Sequence, residues 1–208
     1  MNKIQIIGIG PGHSDYILPI ATKKIKEMDI IISGKRNVEF LDIKNKEVYL
    51  ITADFHSLIK YIKENISKKI GIIVSGDPAF YSMLKFIKRN FKENEYEVIA
   101  GISSLTYFFN KIKKSYEKSY FVSIHGRDEE FINKITSHRY VGLLTDNINS
   151  PKYIAEELII HNMNYKMYIG ENLSYSNEKI YSGYPEDIVK LSSFEMSVVV
   201  IENENYKR

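Results

Sequence analysis

Ile4-Gln5-Ile6-Ile7-Gly8-Ile9-Gly10-Pro11-Gly12, at the head of the chain, is an apolar run that closes on three glycines. Residues 4–9 are too few and too glycine-interrupted for a signal peptide. They read as a strand, and the apolar residues at successive positions mark it as buried on both faces, as in a parallel sheet covered by helices. The pattern recurs downstream. Short β-branched runs at 30–33, 48–51, 70–75 and 96–100 alternate with helical segments at 17–27, 55–66, 80–91 and 103–112. Within 55–66, Ile59, Ile62 and Ile66 are spaced to form one buried stripe.

The polar stretch 113–119 has little to bury and reads as a linker, which sets an expected boundary between residues 1–114 and 115–208. Strands are expected in the second part at 120–124, 140–144, 166–169, 178–181 and 196–201, with helices at 129–136, 151–161 and 185–190. Pro151 and Pro185 suit the first turn of a helix, where no amide bond is lost. The close strands after Lys166, joined by Asn172 to Asn177, predict a hairpin and hence a mixed sheet. The fold class is therefore α/β in two domains. The N-terminal one has a mostly parallel sheet with helices on both faces, and the C-terminal one a mixed sheet.

Composition removes several function classes. The 208 residues contain no cysteine, which excludes disulfides, thiolate metal sites and a nucleophilic thiol. The five histidines show no metal-ligand spacing, so no protein-bound metal is expected. No apolar run approaches the roughly 18–20 residues that span a bilayer. Lys+Arg 29 against Asp+Glu 26 leaves a net charge of +3, with lysines alternating with glutamates along helix surfaces. A nucleic-acid or membrane partner would need a clustered basic face. The expected protein is cytoplasmic, and its partner is a small molecule.

Three glycine turns follow strands in the first hundred residues: Gly8-Ile9-Gly10-Pro11-Gly12, Ser75-Gly76-Asp77-Pro78-Ala79-Phe80-Tyr81 and Gly101-Ile102-Ser103-Ser104. In open α/β sheets ligands gather at the carboxyl ends of strands, so the three together indicate one crevice. Taken singly, each has a plainer reading. The first serves equally as a tight turn, Asp77 as a helix cap followed by Pro78, and Ser103 as an N-cap. The first turn also departs from the dinucleotide fingerprint G-x-G-x-x-G, which argues against a nicotinamide-dependent oxidoreductase. In the second half, Ser123-Ile124-His125-Gly126-Arg127-Asp128 closes a strand. Arg127 is shaped for carboxylates, or else it pairs with Asp128 in a solvated loop.

In order and spacing, the three glycine turns resemble those of the tetrapyrrole methylase family, over essentially the whole chain. Ser33-Gly34-Lys35-Arg36-Asn37, Ser123-Ile124-His125-Gly126-Arg127, Glu171-Asn172-Leu173-Ser174-Tyr175 and Glu178-Lys179-Ile180 are similar to the branch that methylates C5 of cobalt-precorrin-7 on the route to cobalamin. The resemblance implies a two-domain enzyme, usually a homodimer, that binds S-adenosylmethionine between its domains and acts on a corrinoid tetrapyrrole. Gly10, Pro11, Gly76, Asp77, Phe80, Ser103, Ser104 and Thr145 would contact the cofactor. Arg36 and Arg127 would anchor substrate carboxylates, and His125 would be the catalytic residue, as a proton acceptor or a hydrogen-bond donor. Related chains carry Asp and Leu-Thr after the first turn, where this one has His13-Ser14-Asp15 and Leu18-Pro19. The resemblance also implies a free-standing C5 enzyme in the anaerobic route, with the C15-methylating, decarboxylating activity on a separate polypeptide that is a candidate partner. The nearest competing reading is a family member acting at another macrocycle carbon, or on a protein or RNA residue.

Overall fold

Strand β1 (Ile4–Gly8) is buried at all five positions, and it lies inside a sheet rather than at its edge. In the computed structural model, which describes residues 2–39, 41–126 and 130–206, the chain divides into two compact units, Met1–Ser103 and Ser104–Arg208. In the first unit β1, β2 (Ile30–Ser33), β3 (Glu47–Leu50), β4 (Ile70–Val74) and β5 (Tyr96–Ile99) form one parallel sheet in the order β3-β2-β4-β1-β5. Parallel pairing requires crossovers. The connections carry α1 (Pro19–Glu27), the short α2 (Lys35–Val38), α3 (Phe55–Glu64) and α4 (Leu84–Asn90).

The helices cover both faces, as the successive apolar positions demanded. Ile6, Ile32 and Ile72 pack with Leu58 and Ile62 of α3 and Ile87 of α4. Ile7, Ile31 and Ile73 pack with Ala21 and Ile25 of α1. Each fully buried isoleucine contributes about 1.5–3 kcal/mol, so each layer has many small stakes in the sheet. Local chemistry sets the helix starts. Asp54 caps α3 by accepting from the Ser57 amide at 3.0 Å, and Pro19 occupies the first turn of α1. α4 begins at Leu84 rather than at the expected residue 80. Tyr81 holds a left-handed φ of 52°, which no α-helix can contain.

In the second unit β6 (Tyr120–Ser123), β7 (Tyr140–Leu144), β8 (Lys166–Glu171), β9 (Lys179–Gly183) and β10 (Ser197–Glu202) form a sheet in the order β6-β7-β10-β8-β9. β6 and β7 are parallel and the other pairings antiparallel, with β8 and β9 making the expected hairpin. One face packs under α6 (Ile132–Ser137), α7 (Pro151–Ile160) and α8 (Pro185–Ile188), through Ile135, Ile154, Leu158 and Ile188. The other face is covered by α5 (Ser104–Lys111).

This packing explains why the division falls at Ser103/Ser104 and not at the expected 114/115. Leu105 and Phe108 sit so close to the second sheet that a Cβ on Gly142 or Gly170 would lie 3.2 Å and 2.7 Å from them. Phe109 adds ring contacts with Phe121 and Tyr140 at 5.6 and 5.8 Å. The stretch 113–119 is mostly exposed, yet it is anchored to the second unit. Lys114 reaches Glu202 of β10 at 2.9 Å, and Tyr116 packs edge-on against Phe109. Among the described residues no helix is long and apolar enough to cross a membrane.

Candidate functional site

In the first unit the three glycine turns meet at the carboxyl edge of the sheet. Gly10 and Gly76 exchange backbone hydrogen bonds, at 3.3 Å from the Gly10 amide and 2.7 Å from the Gly76 amide, with φ of +76° and +68°. The turn after β5 presses on both. A Cβ on Gly101 would lie 2.0 Å from the Gly76 carbonyl oxygen and 2.9 Å from Gly8 Cα. The contact is backbone against backbone, and it leaves no room for side chains.

Asp77 fastens this junction. One carboxylate oxygen accepts from the Ala79 amide at 2.8 Å, closing a local turn, and the other accepts from the Gly101 amide at 3.0 Å. It is not the cap of α4, which starts seven residues later. Gly10, Gly76 and Asp77 are thus brought together, with buried Pro11 beside Gly10 in the chain. Phe80 is half-buried, its ring edge-on to Tyr81 at 5.1 Å. Ser103 is buried and directly precedes α5, whose first residue is Ser104. Arg36 is exposed on α2, after the carboxyl end of β2. Its neighbour Asn37 is pinned to Ser33 Oγ at 3.2 Å, and Ser33 Oγ donates to the Ile73 carbonyl at 2.7 Å.

In the second unit the ends of β6 and β7 are tied by Asp146. Its carboxylate accepts from the amides of Gly126, Ile148 and Asn149 at 2.6, 2.8 and 2.6 Å. The Gly126 bond, with the other two, holds this carboxyl below its ordinary pKa against a smaller effect of burial. Thr145 is buried, and its hydroxyl donates to the Ser197 carbonyl at 2.6 Å. His125 Nδ1 lies 2.9 Å from the Thr145 carbonyl. A carbonyl only accepts, so Nδ1 carries the hydrogen, and the neutral ring presents Nε2 as an acceptor. Both residues border a cavity of about 310 Å³, together with Asp146, Asn147, Ile148, Glu195, Met196 and Ser197.

Of the residues bordering this cavity, His125 and Thr145 are expected from the sequence and its family resemblance, and Asp146 and Glu195 are not. Asp146-Asn147 before a helix is a turn signal that could have indicated the first. Nothing local signals Glu195, which reaches the cavity only through the sheet order. Arg127 lies outside the described residues. Among those residues no group of three His, Asp or Glu side chains could hold a metal ion.

A family model described as Tetrapyrrole (Corrin/Porphyrin) Methylases matches residues 3–188. The chain belongs to this family. A cobalt-precorrin-7 C(5)-methyltransferase of Salmonella typhimurium is 30% identical over 202 residues, 97% of this chain and 99% of that protein. A probable cobalt-precorrin-7 C(5)-methyltransferase of Methanocaldococcus jannaschii is 33% identical over 186 residues, 85% of this chain and 87% of that protein. Among solved structures, a cobalamin-biosynthesis precorrin-6Y methylase of Archaeoglobus fulgidus has a TM-score of 0.77 at 20% identity, covering 97% of this chain and 98% of that one. A uroporphyrin-III C-methyltransferase of Thermus thermophilus, complexed with S-adenosylhomocysteine, has the same score at 14% identity, covering 97% and 98%. At these identities the structural likeness is one of fold. The matched residues run from before β1 to the end of α8, and so take in the whole first sheet and every strand of the second except β10.

Proposed function

We propose that this tetrapyrrole methylase transfers a methyl group from S-adenosylmethionine to C5 of cobalt-precorrin-7 in cobalamin biosynthesis. The observation that carries the reading is identity of 30% and 33% to two C5-methyltransferases over most of the chain. In the first unit the bare backbone at Gly10 and Gly76 suits close approach of a ligand. We assign Pro11, Phe80 and Ser103 as its neighbours there, and Asp77 keeps the turns in register. The bound cofactor supplies an electrophilic methyl group on a sulfonium sulfur.

What the chain must add is alignment and proton removal. Holding two reactants in attack geometry is worth up to about 7–11 kcal/mol, and it requires no nucleophilic side chain. A methyl group that replaces hydrogen on carbon leaves one proton to remove, and His125 Nε2 is the acceptor we assign to it. Arg36 and Arg127 suit the acetate and propionate groups of the macrocycle as bidentate partners. On this reading the enzyme is a cytoplasmic homodimer, and a C15-methylating activity is a candidate partner.

Calorimetric titration with S-adenosylhomocysteine is expected to give saturable binding at about one site per chain, and cobalt-precorrin-7 is expected to be methylated at C5. Absence of binding by folded protein would remove the cofactor assignment. His125→Gln is expected to lower kcat about 100-fold, flatten the acid limb of the pH–rate profile and leave S-adenosylhomocysteine affinity unchanged. An unaltered profile would exclude His125 as the base.

A further inference from the structure

The cavity bordered by His125 has a second ionisable wall. Glu195 reaches it from the segment entering β10, and its carboxylate accepts a hydrogen bond from Asn172 Nδ2. Asn172 is itself fixed. It is buried, holds a left-handed φ of 49°, and its backbone amide donates to the Met196 carbonyl at 2.9 Å. Asn172 therefore grips Glu195 and Met196 with both its backbone and its side chain.

The rest of its sequence stretch has structural work. Glu171 pairs with Lys179 at 3.9 Å. Leu173 fills the space where a Cβ on Gly170 would go. The Ser174 amide donates to Glu178 at 2.7 Å, and Glu178 also takes the Tyr107 hydroxyl at 2.7 Å. A left-handed backbone explains an asparagine or glycine at 172, but not an amide directed at a carboxylate on the cavity wall.

We infer that Glu195, oriented by Asn172, is a charged contact for the substrate during methyl transfer. The inference rests on the proposed function. The methyl group arrives without its bonding electrons, so the S–CH3 pair stays on sulfur and a π pair of the macrocycle forms the new C–C bond. The positive charge thereby moves from sulfur to the macrocycle. It disappears when the C–H pair returns to the ring and the proton passes to His125 Nε2. An oriented carboxylate on the cavity wall stabilises the charge in the interval without reorganising. Glu195 is then a catalytic residue and Asn172 a positioning residue.

The test is steady-state kinetics with cobalt-precorrin-7 on the full chain, with S-adenosylhomocysteine affinity and melting temperature measured alongside. Glu195→Gln keeps an acceptor for Asn172 and removes the charge. It is expected to lower kcat about tenfold or more, with KM within about threefold and S-adenosylhomocysteine affinity unchanged. Asn172→Gly keeps the left-handed backbone and removes the amide, and it is expected to lower kcat about fivefold. The double variant is expected to be no slower than Glu195→Gln alone. Wild-type kcat in Glu195→Gln, or losses that multiply in the double variant, would overturn the inference. So would a loss in Asn172→Gly confined to melting temperature. A wild-type enzyme that binds S-adenosylhomocysteine yet leaves cobalt-precorrin-7 unmethylated would instead overturn the functional reading.

Discussion

Gly101→Ala is expected to weaken S-adenosylhomocysteine binding more than about tenfold and to lower the melting temperature by several degrees. The added carbon would lie 2.0 Å from the Gly76 carbonyl oxygen and 2.9 Å from two Gly8 backbone atoms, and no side chain can yield to relieve it. The backbones themselves are restrained. Gly76 is bonded in both directions to Gly10, and the Gly101 amide is bonded to Asp77. Overpacking against well-packed surroundings costs about 1–3 kcal/mol, and for a chain of this size each kcal/mol is worth about 2–4 °C. Relief must come from parting the turns, which moves Gly10, Gly76 and Asp77 together. Affinity for S-adenosylhomocysteine should then fall more than about tenfold. Gly34→Ala is the matched control, because nothing lies within 4 Å of its added carbon. It should bind and melt like the parent chain. Normal binding by Gly101→Ala would mean that the turn junction does not shape the cofactor crevice.

The same junction shows what the sequence could and could not reveal. Apolar runs ending in glycine marked β1 and β4 and the end of the sheet where their turns lie, because strand burial and turn conformation are local demands. That Gly8, Gly76 and Gly101 touch one another is a consequence of the order β4-β1-β5, which no local pattern encodes. Asp77 was therefore read as a helix cap or as an acceptor for a ribose or for backbone amides; that one of those amides lies 24 residues away could not be read. The start of α4 was misplaced for a different reason: a left-handed tyrosine leaves no compositional trace. α5 was recognised as a helix, but Leu105, Phe108 and Phe109 say only that it buries an apolar face, not which sheet receives it. The clue lay in Gly142 and Gly170, glycines within strands, where a neighbouring element comes close. His125 was legible as a polar residue closing a strand, and Thr145 was supplied by the family resemblance. Glu195 and Asn172 were not legible as a pair, since 23 residues separate them and their meeting depends on β8 pairing with β10.

Replacing Glu202 by Ala is expected to produce the largest stability loss of any charged position in the second unit. Glu202 is 5% exposed at the end of β10. It accepts from the hydroxyls of Tyr140 and Tyr168, each at 2.8 Å, and pairs with Lys114 at 2.9 Å. The Lys114 ammonium also lies over both tyrosine rings, at 5.9 and 5.6 Å. Removing the carboxylate strands two buried hydroxyls and an ammonium held among rings. Breaking a fully buried pair costs about 3–5 kcal/mol, and because Lys114 is partly exposed, about 2–3 kcal/mol is the fitting expectation. Glu202→Gln keeps one acceptor oxygen and should lose about half as much. The pH dependence follows from the carboxyl itself. Burial pushes its pKa up, but the bonds from Lys114, Tyr140 and Tyr168 outweigh burial and hold it below the ordinary value. Its contribution to stability is then complete above the unfolded carboxyl pKa of about 4.3, and it is lost as pH falls through the lower folded value. Lys114 has a raised pKa, set first by its bond to Glu202, and so adds no variation between pH 5 and 8. Thermal melts of the parent and Glu202→Gln should therefore differ by a constant amount from pH 5 to 8 and begin to converge as pH falls below about 4.3. A gap that persists undiminished in acid would mean that shape, and not charge, is what Glu202 supplies to the core.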